Sequence, residues 1–134
     1  MIAHLQRDVI LFTLMSAALG LCALFFPDRA CADKSSVTIE APATVSKGDE
    51  ITIRVTARHD ANNFLHHTDW LYIMVNDQEV ARWDYTWRKK PEGETFTKEI
   101  TYTVTAPIEI KAEAHCNMHG SAGPQILKVS VNDL

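Results

Sequence analysis

Residues 108–115 alternate without a break: Ile108, Ile110, Ala112 and Ala114 are apolar, while Glu109, Lys111, Glu113 and His115 are polar. In a strand successive side chains point to opposite faces, so a period of two marks a half-buried strand. Pro107 stands just before it, where a proline breaks the preceding strand rather than this one. Cys116 continues the apolar phase and is expected to point inward, with His115 on the opposite face. The strand then enters Cys116-Asn117-Met118-His119-Gly120, in which Asn117 and Gly120 let the backbone turn sharply. A thiol at a strand end, followed by a turn that swings His119 back, puts sulfur and nitrogen within reach of one metal ion. Thiolate plus imidazole suits zinc, copper or iron.

The same period organises the rest of the chain. In residues 50–57, Ile51, Ile53, Val55 and Ala57 share one face, and Thr52, Arg54 and Thr56 the other. Residues 37–41 form a strand ended by Pro42, and Ser46-Lys47-Gly48-Asp49 is a turn. Residues 69–76 are apolar on both faces (Trp70, Leu71, Tyr72, Ile73, Met74, Val75), which fits a strand inside a sheet or under a loop. Asn76-Asp77 makes a tight turn into a strand over 78–87, and further strands cover 95–106, 108–116 and 126–132. That gives about seven strands, no convincing helix after residue 32, and turn signals at the intervals of an all-β, immunoglobulin-like β-sandwich. Trp70, Trp83 and Trp87, with the β-branched strands, are expected to fill its core. Function in such sandwiches sits on end loops. Here the loops over 58–68 and 117–124 carry the unusual residues.

Ahead of this domain, residues 9–26 are almost wholly apolar and follow Arg7. Pro27-Asp28-Arg29 ends the run, and Ala30-Cys31-Ala32 offers small residues at a cleavage position. Residues 1–32 therefore read as a signal peptide, with an uncleaved membrane anchor as second choice because the run is long. Residues 33–134 are the domain, expected to be exported, in the periplasm or beyond. Losing Arg7, Arg29, Asp8 and Asp28 together leaves the net charge at −4, which speaks against nucleic acid as a partner.

Cys22 and Cys31 leave with the leader, so Cys116 has no disulfide partner. A lone thiol in an oxidising compartment is safe as a metal ligand or as a deeply buried small hydrophobe. The domain's histidines favour the ligand. His59, His66, His67 and His119 all lie in the two loops, and only His115 stands on a strand.

At these residues the chain resembles the superoxide reductases, the neelaredoxin and desulfoferrodoxin family. Cys116-Asn117-Met118-His119-Gly120 matches that family's Cys-Asn-x-His-Gly motif. His66-His67-Thr68-Asp69-Trp70 looks like its His-His-x-x-Trp segment, and His59 stands where the family has His-Pro-Asn. Ile39-Glu40-Ala41-Pro42 and Val45-x-x-Gly48 look like its first strand and turn. The resemblance covers most of residues 37–120. It implies an immunoglobulin-like sandwich and one mononuclear ferrous iron held by four equatorial histidines and an axial cysteine. On this chain it implies His59, His66 and His119 as nitrogen ligands and Cys116 as the axial sulfur. The implied reaction is one-electron reduction of superoxide to hydrogen peroxide. A small electron-donor protein would be the partner, and a homo-oligomer is compatible with the resemblance. Lys34, if its loop folds over the site, would attract the anion; otherwise it is a solvated residue near a new N-terminus.

The chain also departs from the family. The first histidine ligand falls at Ser35, the preceding Glu-Lys becomes Asp33-Lys34, the segment from His59 to His66 is one residue longer, and His59-Asp60 replaces His-Pro. The site then has three histidines and one cysteine, with His67 or water to fill the gap. Such a set also suits copper or zinc. A second reading is accordingly a cupredoxin-like copper electron carrier, with Gln125 as axial ligand. A third is a metal-binding module on the same scaffold without the reaction. Nucleophilic catalysis by Cys116 with His115 or His119 is a weaker fourth, since no motif supplies an oxyanion hole or an orienting carboxylate.

Overall fold

Each alternating stretch is a strand in the computed structural model of the chain, which describes residues 34–132. The signal or anchor expected over 1–32 lies outside the described residues. The strands are β1 (Ser36–Glu40), β2 (Thr44–Ser46), β3 (Asp49–Arg58), β4 (Thr68–Val75), β5 (Gln78–Asp84), β6 (Thr95–Val104), β7 (Ile108–Cys116) and β8 (Gln125–Asn132). They form a three-stranded sheet, β1-β3-β6, and a five-stranded sheet, β2-β8-β7-β4-β5. All named pairs are antiparallel except β2 with β8. Two sheets in this order make an immunoglobulin-like sandwich.

The inward faces are the ones the alternation assigns. Ile53, Val55 and Ala57 of β3, Leu71 and Ile73 of β4, and Ile110, Ala112 and Ala114 of β7 are all 0 % exposed. They belong to a single aliphatic cluster between the sheets. Burying each large member contributes about 1.5–3 kcal/mol, which is how a sandwich without disulfides holds.

The structure differs from the sequence reading in detail. There are eight strands among the described residues, because Thr44–Ser46 is a strand too short to show a period; it adds to the sheet edge through β8. β5 stops at Asp84 instead of reaching Trp87, and β6 stops at Val104. The tryptophans do not form the core. Trp70 lies on the outer face of β4, stacked between Tyr72 and His115, Trp83 only borders the core, and Trp87 is 47 % exposed. The apolar outer face of β4 is thus explained by this stack, which Arg82 covers. The Asn76-Asp77 turn has positive φ at both residues (49° and 62°), the hairpin geometry that matches strand twist.

Register carries both chemistry-bearing loops to one end. Ser36 of β1 pairs with Arg58 of β3, so the start of β1 and the end of β3 meet. Thr68, the first residue of β4, pairs with Cys116, the last of β7. The segment joining β3 to β4 therefore hangs over the same end of the sandwich as the turn that follows β7.

Candidate metal centre

Cys116 is fully buried and sits in a turn that closes on itself. Its N–H donates to the Gly120 carbonyl (2.9 Å), and the Gly120 N–H returns the bond to the Cys116 carbonyl (3.0 Å). Gly120 has φ of 79°, a left-handed conformation that glycine adopts without steric cost. This closure aims two backbone donors at the sulfur: the N–H groups of Met118 and His119 each lie 3.4 Å from Sγ. Such donors spread the charge of a thiolate and tune a metal bound to it.

The turn also brings back His119. Its Nδ1 is 4.0 Å from Cys116 Sγ and 2.9 Å from His66 Nε2, and His66 Nε2 is 3.1 Å from His59 Nε2. The ligand atoms of His59, His66 and Cys116 all lie within 4.8 Å of one another. His59 is 1 % exposed and Cys116 is buried, while His66 is half-buried and His119 exposed. The centre is shallow, closed on the cysteine side and open on the side of His119.

Side chains of asparagine hold the longer loop in place. Asn62 Oδ1 accepts from the Thr68 N–H (2.8 Å) and faces His59 Nδ1 (3.3 Å), while its Nδ2 donates to the Gly93 carbonyl (2.7 Å). With Nδ1 engaged, His59 presents Nε2 to the cluster. Asn63 Oδ1 accepts from the Leu65 and His66 N–H groups (3.0 and 2.9 Å), curling the chain just before the second ligand. Asn117 joins the two loops: its Oδ1 accepts from His67 N–H and its Nδ2 donates to the Leu65 carbonyl, both at 2.9 Å, and its own N–H donates to the His67 carbonyl (3.0 Å).

The donor set fits a cation on two grounds. His66 Nε2 faces two other imidazole nitrogens at hydrogen-bond distance, yet it has at most one proton to share between them. A central cation satisfies all three lone pairs together. The donors are also close enough to share one ion: bonds of about 2.1 Å put neighbouring donors about 3.0–3.4 Å apart, and His66 Nε2 lies 2.9 Å from His119 Nδ1 and 3.1 Å from His59 Nε2.

Of the sequence-derived ligands, His59, His66 and Cys116 form one compact group, and His119 borders it through His66 and Cys116. His67 does not join them. It is 7 % exposed, its backbone grips Asn117, and its Nδ1 has no hydrogen-bond partner among the described residues. Lys34 is exposed and sits next to Ser35, whose N–H reaches the Gly120 carbonyl (3.4 Å), so it stands at the metal end without an ion pair among the described residues. Gln125 is exposed and pairs with Ala112 across the ladder; it is no part of the cluster. His115 does have an orienting carboxylate, with Nδ1 2.8 Å from Asp69 Oδ1, but the pair lies on the outer face of β7, away from the inward Cys116. A surface hollow of about 550 Å³, lined by Thr52, Val80, Glu99, Ile100, Thr101 and Tyr102, shares no residue with the cluster.

The roles of Asn62, Asn63 and Thr68 escape a reading by periodicity. Their signal is the crowding of asparagines between His59 and His66, where side-chain amides substitute for missing backbone partners.

Comparison with known proteins agrees with the fold and with the family resemblance. A sequence model of the family described as Desulfoferrodoxin matches residues 29–121. Among solved structures, the superoxide reductase (neelaredoxin) of Ignicoccus hospitalis is similar with a TM-score of 0.62 and 19 % identity, over 79 % of this chain and 88 % of that one. A protein of Thermotoga maritima provisionally assigned as a superoxide reductase gives 0.61 and 22 %, over 79 % and 92 %. The reduced superoxide reductase (neelaredoxin) of Archaeoglobus fulgidus gives 0.51 and 14 %, over 75 % and 94 %. No curated protein sequence matches.

Proposed function

The chain belongs to the desulfoferrodoxin family, and on that premise we propose that it reduces superoxide to hydrogen peroxide at a mononuclear iron centre. His59, His66 and His119 would hold the metal through nitrogen and Cys116 through sulfur. When bound, ferrous iron supplies the single electron, so that superoxide, one electron and two protons give hydrogen peroxide. The observation that carries this reading is the close approach of the His59 and His66 nitrogens to each other and to the buried Cys116 sulfur, with His119 against His66.

The chain's own residues do the rest. The Met118 and His119 N–H groups stabilise negative charge on sulfur. The fully buried Ser35, Thr68 and Cys116 close that side to bulk solvent, leaving entry beside His119. A diatomic anion needs no larger pocket. Lys34, at the same end, supplies positive charge that raises the capture rate at low salt. A small electron-donor protein would restore the ferrous state. Residues 1–32 would export the domain to the periplasm, where superoxide meets it outside the cytoplasm.

Stoichiometry tests the reaction. Anaerobically reduced, iron-loaded protein should yield one peroxide per superoxide consumed and no dioxygen. Release of dioxygen would mean dismutation, and no acceleration over buffer would leave only a metal-binding module.

A further inference from the structure

Ser35 is the least expected residue at the metal end. It is 0 % exposed, as is Thr68, and the two hydroxyls lie 2.8 Å apart. Ser35 continues the inward phase of β1 that Val37 begins, one step beyond the Ser36–Arg58 pair. His59 continues the inward phase of β3 from Ala57, one step beyond the same pair. Ser35 therefore stands beside a metal-ligand histidine, and its hydroxyl partner Thr68 is the register neighbour of Cys116. The Ser35 backbone is tied to the ligand turn as well, since its carbonyl accepts from the Ala122 N–H (2.9 Å).

Two hydroxyls that share one hydrogen bond keep a second O–H and spare lone pairs. In a site closed to bulk water those groups call for a small polar neighbour, since leaving them unmet is costly. No described residue supplies it: Thr68 and Ser35 hydroxyls bond only to each other. Three imidazoles and one thiolate meanwhile leave a cation able to take a further donor.

We propose that Ser35 fixes the protein ligand set at three imidazoles and one thiolate, and that the Ser35–Thr68 hydroxyl pair holds a solvent molecule in the place a fourth imidazole would take. This rests on the metal-centre reading and deepens it. Ser35 is a specificity-determining residue: it governs how many protein donors the ion receives, and thus how tightly a divalent metal is kept. His67, though adjacent to His66, takes no part.

The test uses cobalt(II) as probe on the full chain, with X-ray absorption to count donors and chelator competition to measure affinity. Wild-type protein should show three imidazoles, one sulfur and at least one light-atom donor. Ser35→His should show four imidazoles and bind cobalt at least tenfold more tightly. Ser35→Ala should keep three imidazoles and one sulfur but lose the ordered light-atom donor, with a severalfold loss of affinity, and His67→Ala should not change the donor count. Four imidazoles in wild type, with one lost in His67→Ala, would overturn the inference, as would a light-atom donor unchanged in Ser35→Ala. If Ser35→His fails to fold, the other two variants decide alone. A protein that takes no cobalt at all would sink the metal-centre reading itself, a different result from any of these.

Discussion

The two loops that build the centre differ in how they hold their ligands. The turn from Cys116 to Gly120 is self-contained: five residues, two reciprocal backbone bonds and one left-handed glycine fix both Sγ and His119. The segment between β3 and β4 has a single internal backbone bond, from the Asn63 N–H to the His66 carbonyl (2.8 Å), and no reciprocal pair. It places His59 and His66 largely through the side chains of Asn62, Asn63 and Asn117. The short turn carries its geometry in its own sequence. The long loop borrows geometry from the rest of the end, and from the turn through Asn117.

If this contrast holds, damage to the turn should cost most. Cys116→Ser removes the one sulfur and should weaken metal binding by two orders of magnitude or more, measured by chelator competition. Asn117→Ala cuts both side-chain ties between the loops. Loss of a group that orients ligands typically costs 10–100-fold in affinity, and the upper end is expected here because Leu65 and His67, which flank His66, both lose their tie to the Asn117 side chain. Asn62→Ala frees the imidazole of His59 and should sit near tenfold. Equal losses in Asn117→Ala and Asn62→Ala would mean that the loops are not joined in the way described. His115→Ala, on the outer face of the same strand, should leave metal affinity unchanged and cost only the contact with Trp70 and Asp69, read as a small drop in Tm. Metal itself should raise Tm, since at a hundredfold excess over Kd it stabilises the fold by about 2.7 kcal/mol.

The same contrast explains what could be read beforehand. Strict alternation in residues 50–57 and 108–115 assigns the inward faces of β3 and β7, because each strand has one wet and one dry side. Cys116 and His119 follow from the strand phase and the turn. β4 is harder: Trp70 and Tyr72 are large and half-buried on the outer face, so periodicity alone does not separate its two sides. β2 is three residues long and carries no period. Cooperation of His59 with His66 depended on resemblance, and the asparagine scaffold depended on contacts up to 52 residues apart in sequence, which no local pattern encodes. That Ser35 is buried against Thr68 was likewise invisible, since a serine before a strand ordinarily faces water.

The most direct measurement is a crystal structure of the anaerobically iron-loaded protein with anomalous scattering recorded at the iron edge. One peak should lie within bonding reach of Cys116 Sγ, His59 Nε2, His66 Nε2 and His119 Nδ1. A peak elsewhere, or one bound to the cysteine without imidazoles from both loops, would contradict the account.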